Sequence, residues 1–140
     1  MSYKIIAKFI KDVSFEIPSA QAYTMLEKEI SKYNLNFDIK SKPFKNNIIE
    51  VNTILRITPN QEVKHKTLTE INYTCLASLD ITLKDKKEIE KIVLIKIPTD
   101  IYPDLYETFT FLLKKAGIKN IDITKKVDFE KLYKEKTKSN

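Results

Sequence analysis

Apolar residues recur at every second position over long reaches of this chain. Between residues 3 and 17 the odd positions Ile5, Ala7, Phe9, Val13, Phe15 and Ile17 are apolar, a period of two that predicts a strand with one wet face. Lys11 alone breaks the pattern, and Asp12, Ser14 and Glu16 fall on the opposite face. Pro18 has no N–H to give a ladder, so the strand is expected to end there. Leu35, Phe37 and Ile39 alternate before a break at Pro43, and Ile49, Val51, Leu55 and Ile57 alternate before a break at Pro59. In a fourth run, residues 66–79, Leu68, Glu70, Asn72 and Thr74 share one face while Thr69, Ile71, Tyr73 and Cys75 share the other. Four strands without a firm crossover helix between them predict an antiparallel sheet.

Residues 19–33 fit a helical period only in part and read as a crossover segment. Residues 85–98 begin like a helix and turn β-branched, and periodicity does not separate helix from strand there. From Pro103 the pattern sharpens. Leu105, Tyr106, Phe109, Leu112, Leu113 and Ala116 form one stripe, with lysines at 114 and 115 and Gly117 placed to end the helix. Phe111 lies off that stripe, which points to a second contact side. Asp128 is placed to cap a last short helix carrying Phe129, Leu132 and Tyr133.

Composition narrows the chemistry. At 140 residues and 42% hydrophobic, the chain suits one domain with a core of its own, here residues 1–133, followed by a basic, flexible tail over 134–140. Net charge is +6, yet residues 114–140 hold nine lysines against four carboxylates, leaving sixteen basic and fifteen acidic residues before them. Such a tail could bind nucleic acid, but Arg56 is the sole arginine, and bidentate recognition of phosphate or guanine favours arginine. Cys75 is the single cysteine, which fits a reducing cytoplasm. No apolar run approaches a membrane span.

An enzyme is not expected. A nucleophilic mechanism would need Cys75 beside a base, and His65, the one histidine, sits between lysines. One glycine cannot build a phosphate loop, and no spaced set of metal ligands is present. No cofactor is expected. What remains is a large aromatic supply, seven tyrosines and seven phenylalanines.

At this point "FIKDVSFEIP", residues 9–18, resembles the first-strand motif of the SecB family of protein-export chaperones. "TLTEINYTCLA" (67–77) is similar to the family's fourth strand, "KIPTDIYPDLYETFTFLLKKAG" (96–117) to its proline-bearing approach to the long helix, and "VDFEKLY" (127–133) to its terminal motif. The resemblance implies an α+β, SecB-like fold: a four-stranded antiparallel sheet with helices packed on one face. It also implies an ATP-independent holdase, a cytoplasmic homotetramer built as a dimer of dimers. Such a protein binds unfolded export precursors in apolar grooves and delivers them to the SecA motor.

Carried onto this sequence, the resemblance places SecA docking on Asp12, Glu16, Leu68 and Glu70. All four are even-numbered and share the outward face that parity assigns them. It places the oligomer contact near Thr69, Ile71 and Tyr73, with Phe111 added. Client contact is expected at Tyr23, Met25, Leu26, Tyr102, Phe109, Phe129, Leu132 and Tyr133. Three departures stand out: Ile97 replaces a cysteine, Thr74 and Cys75 replace paired glycines, and the charge balance is basic. Alternatives within reach are a SecB-like chaperone of a toxin–antitoxin system and a nucleic-acid-binding module led by the lysine tail.

Overall fold

The computed structural model describes residues 2–30, 33–59, 68–119, 121 and 126–138. Four antiparallel strands, β1 (Tyr3–Glu16), β2 (Tyr33–Lys45), β3 (Ile48–Pro59) and β4 (Leu68–Leu79), form one sheet in the order β1-β4-β3-β2. β1 is therefore separated from β2 by the full width of the sheet. The connection between them is a helix, α1 (Ala20–Glu29), where the sequence pattern gave only a crossover segment. Ser19 caps it by accepting from the Ala22 N–H at 3.1 Å. Ala22, Leu26 and Ile30 turn into the core.

All helices lie on the face that carries the odd residues of β3 and β4. Leu55, Ile57 and Ile71 pack with Leu105, Phe109 and Leu113; Val51, Cys75 and Ala77 pack with Ile92, Ile97 and Ile101. The segment left open between helix and strand is helical. α2 (Lys86–Lys91) runs through a π-helical stretch, Ile92–Lys96, into α3 (Ile97–Lys115). Helix therefore begins well before Pro103, which lies inside α3. The wide turn precedes Pro98, a residue with no N–H to close the usual bond to the preceding turn. Asp85 caps the start through the Lys87 N–H at 3.0 Å.

α3 ends as the sequence predicts. Gly117 has φ +96°, and the Ile118 and Gly117 N–H groups bond the Leu113 and Lys114 carbonyls at 3.0 and 3.1 Å, the paired closure that a left-handed glycine permits. The last helix, α4 (Phe129–Lys138), is capped by Asp128, which accepts from the Lys131 N–H at 3.0 Å. Helix thus continues through Lys138, into the segment expected as a tail; residues 139–140 and His65 lie outside the described residues.

Two further expectations change. Pro43 does not end β2, because β2 is an edge strand and its missing N–H interrupts no ladder bond that the sheet requires. The parity of β1 also shifts twice, at register irregularities between Ile5 and Ala7 and between Ile10 and Asp12. Lys11, the residue that broke the alternation, is the extra residue of the second bulge. Phe9 consequently pairs with Thr74 on the outer face, and Lys8 and Ile10 pair with Cys75 and Tyr73 on the helix face. Lys8 then reaches Asp104 of α3 at 2.8 Å, and the Tyr3 hydroxyl donates to Asp100 at 2.5 Å.

Candidate functional site

The described residues hold no cluster of potential metal ligands and no helix long and apolar enough to cross a membrane. Cys75 is fully buried and burial pushes its thiol up to about 11, so it is inert as a nucleophile at neutral pH. Three surfaces stand out among the described residues: an edge groove, an apolar strand edge and a polar sheet face.

The groove runs along β2. It has a volume of about 270 Å³ and is lined by Leu35, Asn36, Phe37, Asp38 and Ile39 on one side and Leu94, Phe129, Leu132 and Tyr133 on the other. Five consecutive strand residues of both parities line it, so it follows the strand's edge rather than lying under one face. Its floor is aromatic: Phe37 meets Phe129 at 5.2 Å and Tyr102 at 5.7 Å, both edge to face. An open strand edge beside apolar walls can add an extended peptide through main-chain bonds while side chains fill the groove.

The candidates for client contact divide accordingly. Phe129, Leu132 and Tyr133 line the groove, and Tyr102 lies beneath it, 3% exposed. Leu26 and Phe109 are sealed in the core and present nothing to a client. Tyr23 and Met25 are half-buried on α1, and the Tyr23 hydroxyl donates to the Gly117 carbonyl at 2.8 Å. Sequence reasoning missed Leu35, Phe37, Ile39 and Leu94. Their alternation marked a strand, but nothing local marked that strand as the sheet's edge.

The other edge, β1, bears a run of exposed apolar side chains, Ile6, Phe9, Ile10 and Val13, each between 38% and 52% exposed. Three of the four expected oligomer contacts lie on the helix-covered face of β4. Thr69 and Ile71 are buried inside the chain and Tyr73 is half-buried against the helices, all on the odd face that α3 covers. Of these three, Tyr73 alone keeps part of its surface exposed. Phe111 is 57% exposed on α3, with Lys115 over its ring at 5.7 Å.

The even residues of β3 and β4, with the β1 and β2 residues paired to them, form the outer face, which no described helix covers. Asp12 pairs with Asn72, Ser14 with Glu70 and Glu16 with Leu68, so the four expected docking positions stand on neighbouring rows of one face. The Arg56 guanidinium engages both carboxylate oxygens of Glu70, at 3.1 and 3.4 Å, and the carboxylate raises the arginine further. Glu50 is held below the usual carboxylate range by the Asn52 amide and the Lys11 ammonium, at 2.9 and 3.0 Å. The Thr74 hydroxyl, buried on this face, bonds Asn52 Oδ1 at 2.7 Å.

A four-stranded antiparallel sheet with helices on one face is what the quoted motifs imply, and the whole chain, residues 1–140, matches the family described as preprotein translocase subunit SecB. The chain belongs to the SecB family. A SecB-named protein of Pelagibacter ubique is 49% identical over 135 residues, covering 96% of both chains. The protein-export protein SecB of Nitrosospira multiformis is 28% identical over 131 residues, 94% of this chain and 80% of that one. Among solved structures, the SecB-like chaperone of Mycobacterium tuberculosis, in complex with a peptide from the HigA1 antitoxin, superposes with a TM-score of 0.68 over 90% of this chain and 88% of its own. At 9% identity that likeness speaks for the fold. SecB membership therefore makes this a chaperone-family chain.

Proposed function

We propose that this SecB-family chain is an ATP-independent holdase that keeps unfolded export precursors from aggregating in the cytoplasm and passes them to the SecA motor. The observation that carries the reading is the edge groove, where a free strand edge meets Phe37, Phe129, Leu132 and Tyr133. Main-chain bonding to β2 is indifferent to client sequence, and apolar walls reward any exposed hydrophobic side chain. That combination suits a protein with many clients and no catalytic step. The bare stripe on β1 supports a homo-oligomer, since a fourteen-residue edge strand with four exposed large apolar side chains left in water would invite uncontrolled pairing. Phe111 supplies a second contact, with Thr69, Ile71 and Tyr73 shaping the sheet from within. Two such contacts per subunit build a dimer of dimers.

Delivery is assigned to the outer face, through Asp12, Glu16 and Glu70 with Leu68 opposite Glu16 in the register. Exposed charges of this kind steer and orient a partner, so docking should weaken as salt rises. The test is light scattering of an aggregating unfolded precursor. The wild-type chain should suppress aggregation near one precursor per tetramer, and Leu132→Asp, which places a charge in the groove wall at a half-exposed site, should weaken suppression severalfold while the fold persists. Aggregation that proceeds unchanged in the presence of the wild-type protein would overturn the holdase reading. The mycobacterial neighbour's antitoxin peptide keeps a toxin–antitoxin role as the alternative outcome, favoured if the chain protects an antitoxin encoded beside it and no precursor.

A further inference from the structure

The outer sheet face is split by charge along the strand direction. Toward the β2–β3 turn, the register gathers Lys40, Lys42 and Lys45 of β2 with Lys4 of β1 around Glu50, and Lys11 joins them through its 3.0 Å bond to Glu50. Toward the other end it gathers Asp38, Asp12, Glu16 and Glu70 around Arg56. The boundary falls between Lys40 and Asp38, whose charged atoms lie 3.8 Å apart. Successive rows are about 6.6 Å apart, from a rise of about 3.3 Å per residue. Six rows therefore make a polar couple roughly 30 Å long.

The cationic end is built rather than merely populated. Glu50 is 9% exposed and holds Lys11 at 3.0 Å, with Lys42 at 3.9 Å. Behind it the Asn52 amide and the Thr74 hydroxyl, both buried, fix the carboxylate in a hydrogen-bonded line. One enclosed anion thus holds two ammonium groups toward solvent. Phe9, paired with Thr74 on this face, is 41% exposed, and Phe44, with the Lys45 ammonium 5.3 Å from its ring, is 51% exposed.

We infer that this face docks a polypeptide segment that itself carries both signs: acidic side chains over Lys11, Lys40, Lys42 and Lys45, and basic side chains over Asp12, Glu16 and Asp38. The inference rests on the proposal that the outer face is the docking surface, and it adds the partner's charge order and hence its orientation. The physical ground is cancellation. Six cationic residues face five anionic ones, so a uniformly anionic surface such as a bilayer or nucleic acid loses at one end what it gains at the other. A segment of mixed sign gains at both. The resemblance on its own implies only the acidic end.

The test uses fluorescence anisotropy of the full chain with three labelled twelve-residue peptides: four Asp, four Ser and four Lys in blocks; the same composition scrambled; and eight Asp with four Ser. The block peptide should bind about fivefold tighter than the scrambled one at low salt, an advantage that disappears near 0.3 M salt, since exposed pairs each contribute little. Lys40→Glu with Lys45→Glu, both exposed sites, should abolish the advantage and leave aggregation suppression at the wild-type level. Equal binding of block and scrambled peptides, tighter binding of the acidic peptide, or no effect of the double variant would overturn the inference. So would stronger sedimentation with anionic than with neutral vesicles, or a self-association that the double variant removes, which would assign the face to a bilayer or to a second copy. Failure of the wild-type chain to suppress aggregation would count against the holdase reading alone, because the peptide comparison reads the face directly.

Discussion

Replacing Phe129 by alanine should release α4 from the sheet while the sheet stays folded. Phe129 is 2% exposed, and its ring meets Phe37 at 5.2 Å and Tyr102 at 6.1 Å. Among the described side chains of α4 it alone is buried; Leu132 is 41% exposed and Tyr133 only half-covered. Docking of the helix therefore depends on one ring. Burial of that ring contributes about 1.5–3 kcal/mol, and each edge-to-face pair adds about 0.5–1.5 kcal/mol. Truncation of a buried phenylalanine costs about 3–5 kcal/mol, comparable with the entire contribution. Taking about 3 kcal/mol at about 1.4 kcal/mol per tenfold, opening of α4 becomes about 100-fold more frequent.

Hydrogen exchange reads this directly. Amides of residues 131–135 should exchange about 100-fold faster in Phe129→Ala, while those of Leu55 and Ile71 keep their rates, because the β3–β4 ladder in which they pair does not involve α4. Phe129→Leu retains much of the apolar area and should fall between. Unchanged protection of α4 would refute the reasoning, and so would parallel loss of protection in β3 and β4.

Other outcomes follow from single sites. Gly117→Ala should cost about 1–2 kcal/mol in chemical denaturation, since φ +96° disfavours a side chain and the new methyl would lie 3.3 Å from the Tyr23 hydroxyl. Thr53→Val should stabilise by about 1 kcal/mol, because the Thr53 hydroxyl is buried without a hydrogen-bond partner among the described residues; a lower urea midpoint would contradict this. Glu50→Gln should cost about 1–2 kcal/mol at pH 7. The Glu50 carboxyl is depressed in the folded chain, so its contribution is present above the ordinary carboxylate range and is lost as pH falls through the folded value. Urea midpoints of variant and wild type should accordingly converge in acid, and a gap that persists there would refute the assignment. Cys75 should react with a thiol reagent only on unfolding, given its burial; labelling of the native protein at the rate of a free thiol would be inconsistent with its place in the core.

The sequence by itself determined what depends on neighbours within a turn or a strand. Alternation located all four strands, Asp128 and Gly117 marked helix ends, and the 3.6-residue stripe separated buried Phe109 from exposed Phe111. Each rests on side-chain direction, which the local backbone dictates. The motif order likewise carried the family. The tertiary structure decided everything that required two distant segments to meet. Lys11 reads only as a break in the alternation until pairing with β4 makes it a bulge and turns Phe9 outward. Pro43 reads as a break until the sheet order makes β2 an edge, and that same order creates the groove. Arg56 and Glu70, or Lys11 and Glu50, become partners only through the register. Alternation tells each strand which side chains share a face but not which strand lies beside it, and both the groove and the charge split arise from that adjacency.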